Sequence, residues 1–291
     1  MRRIWSVMAV AAVAGGVQIG LAPSSHADTG VSVTAANLHV TAAAGKANKI
    51  TVSLSPQGDV VVTDAGDVLR PGGGCTRGDG GSVVCPGVQA IQVDLKDLDD
   101  TFTNATGIGA RVEGGPGADT VLAGSGGDVF TGGPGDDVFT GGAGDDSVVA
   151  DRLADGADVF TGGPGDDTAV YRDRLDRVTV SLDDRADDGA AGERDDIRAD
   201  VENVRGGAAG DTVIGNDRAN EIRGGRGDDT LDGGGGDDTL NGEAGKDVLA
   251  GEGGGDLLLG LDGAAGDDLD GGAGNDECRS DAGDVDRSCE T

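Results

Sequence analysis

The sequence predicts an all-β protein: a β-solenoid in two repeat blocks, preceded by an N-terminal β-strand segment. Three observations carry that prediction. Glycine and aspartate recur on a nine-residue beat, an apolar residue or cysteine fills the eighth slot of every clear unit, and 58 glycines with only 2% aromatics leave too little bulk for an ordinary globular core. Cut at the beat, residues 114–170 read GGPGADTVL, AGSGGDVFT, GGPGDDVFT and GGAGDDSVV, then, after residues 150–152, LADGADVFT and GGPGDDTAV. Residues 206–279 resume with GGAAGDTVI and GNDRANEIR and run through GGRGDDTLD, GGGGDDTLN, GEAGKDVLA and GEGGGDLLL. After the extra pair 260–261 they end in DGAAGDDLD and GGAGNDECR. A short repeat cannot bury its apolar face alone, but a stack of them can.

The elements follow in chain order. Residues 1–27 read as a secretory signal peptide: Arg2 and Arg3 precede an apolar run, and Ser25 and Ala27 provide small residues at a cleavage site. Gly15, Gly16, Gln18 and Gly20 interrupt that run before it reaches the roughly 20 residues a membrane span needs. The mature chain is therefore expected to be secreted and extracellular, without membrane insertion. Residues 28–113 form the N-terminal β segment with degenerate first repeats. NKITVSL, GDVVVTD and VQAIQVDL read as strands, and Asp100 and Phe102 already occupy the later regular slots. The first repeat block spans 114–170. The spacer 171–205 breaks the period with a strand at VTVSL, a solvated acidic loop DDRADDGAAGERDD, and a short strand or helical turn at IRADVENV. The second block spans 206–279 and a C-terminal cap 280–291.

The four cysteines suggest disulfides in an exported chain. Three connectivities are possible; local pairing, Cys75 with Cys85 and Cys278 with Cys289, is expected because each pair sits in its own segment. A zinc site would need closer cysteine spacing or histidines, and outside the signal only His39 is present.

Within a unit the first six residues are turn formers and only the last three can extend, so two units make one coil. The Pro-Gly pairs at Pro116, Pro134 and Pro164 preset a tight turn, and the glycines beside them let carbonyls turn toward a common point. The sixth position holds an acid: Asp119, Asp128, Asp137, Asp146, Asp158 and Asp167 in the first block, and Asp211, Asp229, Asp238, Asp247, Asp256, Asp267 and Asp276 in the second, with Asn220 the exception. Stacked carboxylates repel, and a cation between them reverses the sign. Carboxylate and carbonyl oxygens, without nitrogen or sulfur, suit a hard cation with flexible coordination, which points to calcium (Ca2+), several ions per chain. The eighth-position residues would face inward, but so thin a core leaves folding dependent on the ion. Fifth-position acids such as Asp136 and Asp228 are expected to be solvated outward charges.

Units such as GGPGDDVFT, GGAGDDSVV, GGRGDDTLD and GGGGDDTLN resemble the G-G-x-G-x-D-x-U-x nonapeptide of the RTX, or hemolysin-type, calcium-binding repeat family. The resemblance implies a parallel β-roll in which each calcium lies between loops on successive coils of one edge, Asp119 working with Asp137 and Asp229 with Asp247. GNDRAN, GGAAGD and DGAAGD depart from the pattern. The N-terminal signal and the absence of a toxin-like hydrophobic domain argue against carrying cytolysis over.

The net charge of −32 disfavours nucleic acid and anionic membranes and favours cations. No H-E-x-x-H or G-x-S-x-G is present, so an enzyme is not expected, although RTX-type extracellular enzymes exist and a carboxylate pair could hide among 54 acids. The reading is a secreted calcium-binding protein that folds on binding. Its alternative is a cell-surface or matrix adhesion protein stiffened by calcium, and the sequence leaves any protein or polysaccharide partner unidentified.

Overall fold

The computed structural model describes residues 28–152 and 155–290, and the expected signal peptide lies outside them. The chain is a parallel β-solenoid of about ten turns. Each unit of the first block contributes a three-residue strand, such as Thr120–Leu122, Val129–Thr131 and Val138–Thr140, and some units of the second block contribute longer ones, such as Glu221–Arg226. Alternate units return to the same face. Val121 pairs in register with Phe139 and Phe139 with Phe160 on one sheet, while Phe130 pairs with Val148 and Val148 with Ala169 on the other. The nine-residue period thus becomes an 18-residue coil because consecutive strands face each other across the core.

One face is a single 13-stranded sheet that runs from the N-terminal segment to Glu277–Ser280. The opposite face is in two pieces, a nine-stranded sheet ending at Asp196–Ile197 and a seven-stranded sheet ending at Val285–Arg287. Residues between the repeat blocks belong to both faces. Asn203–Arg205 joins Thr168–Val170 to Glu221–Arg226 on the long sheet, and Val178–Ser181, the strand expected at VTVSL, starts the seven-stranded piece with Gly189–Ala190.

The acidic loop differs from the solvated loop expected there. Asp188, Glu193, Asp195 and Asp196 are buried, because Gly189–Ala190 pairs antiparallel with Val178–Ser181 and folds the loop against the solenoid. Arg174, itself buried, makes the burial of Glu193 tenable: its Nη1 lies 2.7 Å from Glu193 Oε1 and its Nη2 2.5 Å from Asp155 Oδ1. Asp188 accepts the Ser181 and Ile197 N–H groups, Asp195 accepts the Asp158 N–H and the Tyr171 hydroxyl, and Asp196 pairs with Arg198. A buried acid without such a partner would shed its charge or unfold the site.

The N-terminal end is closed by two antiparallel hairpins, Gly30–Thr34 with Asn37–Thr41 and Lys49–Leu54 with Val60–Asp64. Their inner strands add in parallel to Ala90–Asp94 and Thr101–Asn104, so the parallel ladder does not end in an open edge at this point. The disulfides are Cys75–Cys85 and Cys278–Cys289, the local pairing expected from the sequence.

The core is the column of eighth-position side chains. From Val121 to Leu269 all but Val148 are at most 1% exposed; Val148 and Cys278 are partly buried. Phe139 stacks on Phe130 and on Phe160 with ring centroids 5.4 Å apart in each pair. Among the described residues no helix is long and apolar enough to cross a membrane.

Candidate metal centres

The sixth position of each unit immediately precedes its strand, so the turn that ends one strand delivers an acid to the edge of the solenoid. The structure arranges these acids in four rows, each held by one repeated hydrogen bond: the backbone N–H of one acid donates to the carboxylate Oδ1 of the acid one coil on. Asp100 donates to Asp119 (2.8 Å), Asp119 to Asp137 (2.7 Å) and Asp137 to Asp158 (2.9 Å). On the opposite edge Asp128 donates to Asp146 (2.7 Å) and Asp146 to Asp167 (2.8 Å). In the second block Asp211, Asp229, Asp247 and Asp267 form one row, with bonds of 2.7, 2.9 and 2.9 Å. Asn220, Asp238, Asp256 and Asp276 form the other, with bonds of 2.7, 2.8 and 2.9 Å. All thirteen acids singled out in the sequence stand in these rows, and the pairs Asp119–Asp137 and Asp229–Asp247 are direct neighbours. All are buried except Asp158, which is half-buried.

The second carboxylate oxygen is left over. In Asp119, Asp137, Asp146, Asp167, Asp229, Asp238, Asp247, Asp256 and Asp276, Oδ2 is buried and has no hydrogen-bond partner among the described residues. Glycine makes room for it. A Cβ on Gly132 would lie 2.2 Å from Asp137 Oδ2, and one on Gly224 equally close to Asp229 Oδ2. The fourth-position glycine is dictated by the neighbouring coil, since a Cβ on Gly135 would fall 1.7 Å from the carbonyl oxygen of Gly117. The second position requires the left-handed conformation, as at Gly133 with φ 93°. Glu243 and Glu252 hold the same position at φ 65° and 68°, which L-residues adopt at a cost.

These carboxyls resist ionisation. Burial pushes Asp137, Asp146, Asp229 and Asp238 up to about 7, against the opposing pull of one backbone N–H each, and neighbouring carboxylates add to the rise. Asp158 is pushed up to about 8 by the same causes. Asp119, Asp167 and Asp247 reach about 6.

Three positions differ. Asp128 Oδ2 accepts the Gly124 N–H (3.2 Å) and Asp211 Oδ2 the Gly207 N–H (2.6 Å), so each of these acids, first in its row, has both oxygens engaged. Asn220 accepts the Asn216 N–H (2.9 Å) and gives its Nδ2 to the Glu202 carbonyl (2.9 Å). It satisfies itself without a charge.

The rows end on acids outside the nine-residue pattern. Asp158 N–H donates to Asp195 Oδ1 (3.0 Å), Asp167 N–H to Glu202 Oε2 (3.1 Å), Asp267 N–H to Asp284 Oδ1 (3.2 Å) and Asp276 N–H to Glu290 Oε2 (2.6 Å). Three of them carry a readable signal, an acid directly before a short strand: Asp195 before Asp196–Ile197, Glu202 before Asn203–Arg205, and Asp284 before Val285–Arg287. Glu290 has none. The fifth-position acids are exposed as expected, yet they also tie coils together: Asp136 Oδ1 accepts the Ala157 N–H and Asp228 Oδ1 the Lys246 N–H, both at 3.0 Å.

Loop carbonyls lie close to the orphaned oxygens: a Cβ on Gly114 would meet both Asp119 Oδ2 at 2.5 Å and the Gly132 carbonyl oxygen at 2.4 Å. Such an all-oxygen donor set fits a hard divalent cation. Among the described residues no three His, Cys, Asp or Glu side chains converge on one point, so backbone carbonyls must complete any such set. Residues 113–148, 154–169, 205–240, 223–258 and 232–268 match the family model for the RTX calcium-binding nonapeptide repeat (4 copies). No curated protein matches the chain.

Proposed function

This chain carries the RTX calcium-binding nonapeptide repeat in a β-solenoid, and from that premise we propose a secreted protein that folds when its loops bind calcium. The observation that carries this reading is the repeated buried Oδ2 with no partner: a folded chain with these carboxylates ionised would not tolerate so many unsatisfied acceptors unless a cation met them. The residues that would hold the ions are the sixth-position acids, with Asp137, Asp146, Asp229, Asp238 and Asp247 in the row interiors contributing most, and loop carbonyls completing the set. Bound calcium supplies the positive charge that lets adjacent carboxylates stay ionised side by side. The glycines hold the loops open for the carboxylates, and the strands fix the coil spacing. Two disulfides suit an oxidising compartment and support secretion. The role is structural and ion-binding, not catalytic: purified protein should give blank readings on ester, peptide and glycoside substrates.

Far-UV circular dichroism, titrated from chelator into millimolar calcium, tests the reading. The β signal should rise cooperatively with calcium; a signal unchanged across the titration would sink it. A second check uses glycine. Gly132→Ala drives a Cβ into Asp137 Oδ2, whereas Gly73→Ala meets nothing within 4 Å. Calorimetry should find fewer calcium ions bound by the first variant and an unchanged number by the second, and equal numbers in both would show that the cradle is not part of the site.

A further inference from the structure

Where the repeat blocks meet, a cleft collects arginines on a chain in which acids outnumber bases 54 to 22. A cavity of about 460 Å3 is lined by Arg172, Arg205, Arg223 and Arg226, with Asp173 and Glu243 its acids and small residues for its floor. An adjoining cavity of about 620 Å3 shares Arg172 and Arg226 and reaches Arg152, with Asp151 and Asp173 its acids. Arg205 and Arg223 are register partners on neighbouring strands of the long sheet, where like charges set side by side are destabilising. Only Arg223 is closely paired, through Nη2 to Glu221 Oε1 at 2.5 Å; Arg172 stands 3.8 Å from Asp173. Arg205 and Arg226 make no ion pair among the described residues. In so acidic a chain that is not for want of carboxylates.

We propose that this trough binds an anionic oligosaccharide through its sulfate or carboxylate groups. Guanidinium forks match both anions bidentately. Five arginines spread over two joined cavities suit a ligand with several spaced charges better than a single small anion. No aromatic residue lines either cavity, so single-stranded nucleic acid would find no stacking platform. Duplex DNA, a rigid double-stranded rod with phosphates on both strands, would set charges against the acidic edges on either side that a single flexible chain lying in the trough avoids.

The test uses full-length mature protein in calcium, with circular dichroism of each sample to establish that it is folded, so that a failure here is read separately from a failure of the calcium reading. The probes are a heparin hexasaccharide, an oligogalacturonate of the same length, a duplex DNA and inorganic sulfate, titrated calorimetrically at low ionic strength. At least one oligosaccharide should bind, and the first two probes distinguish sulfate from carboxylate recognition. The double variant Arg205→Gln, Arg226→Gln should weaken it by about tenfold or more. Arg279→Gln, in the register slot of Arg205 but in the last coil, should leave it unchanged. The proposal is overturned if folded protein binds neither oligosaccharide, if inorganic sulfate competes as well as the hexasaccharide, if duplex DNA binds as tightly, or if Arg279→Gln costs as much as the double variant.

Discussion

Acidifying this chain from pH 7.5 toward pH 5 in the presence of chelator should fold it, the reverse of ordinary acid denaturation. In the unfolded chain an aspartate titrates near 3.9, whereas in the folded chain burial holds Asp137, Asp146, Asp229 and Asp238 near 7 and Asp158 near 8. Between those limits the folded state binds more protons than the unfolded one, so the stability these groups contribute is present below about pH 4 and is lost as pH rises through 7. Each such group, forced to ionise in place, costs on the order of 4 kcal/mol. Four of them together rival the 5–15 kcal/mol by which a whole domain is stable. At neutral pH without calcium the rows therefore cannot all be ionised and folded.

With calcium the dependence should invert, because carboxylates engaged by a cation must be deprotonated. Stability should then fall with acidification, and binding near pH 6.5 should release protons to the buffer. Circular dichroism across pH 5–8, in chelator and in millimolar calcium, reads both limbs and stays above the sequence pI of about 4.1. A chelated sample that loses order steadily as pH falls would refute the account.

What the sequence made legible was whatever the period repeats. The eighth-position column from Val121 to Leu269 and the sixth-position rows follow from one unit read fourteen times, since register in a parallel stack copies a position onto itself one coil later. What it hid lies where the period stops. Asp195, Glu202, Asp284 and Glu290 take the last N–H of each row, the first two from the spacer and the other two from the C-terminal cap, where no nine-residue repeat marks them. Arg174 is hidden for a related reason. Its burial depends on Asp155 and Glu193, both 19 residues away, and nothing local in YRDRLDR marks one arginine as buried and its neighbours as exposed. The hairpins that close the N-terminal end leave the same strand pattern as any β segment; only their pairing shows that they cap the roll.

Asp137→Ala should abolish more calcium binding than Asp211→Ala, although the two residues occupy the same slot of the repeat. Asp137 stands inside its row: its Oδ1 accepts from Asp119, its own N–H reaches Asp158, and its Oδ2 is buried without a partner. If these acids hold calcium as proposed, removing it strips a ligand from two inter-coil sites at once, one shared with Asp119 and one with Asp158. Asp211 heads its row, and both its oxygens are spent on backbone donors, Val178 N–H at 2.9 Å and Gly207 N–H at 2.6 Å. Its loss removes two hydrogen-bond acceptors from buried N–H groups, about 1–3 kcal/mol apiece if left unsatisfied, and so should appear in thermal stability at saturating calcium. The number of ions bound should change little. Calorimetric titration of both variants, with melting curves at saturating calcium, separates the two effects. If both substitutions lower calcium stoichiometry and affinity equally, the sites are not shared between coils and an acid with both oxygens engaged by backbone N–H groups is as good a ligand as a free one.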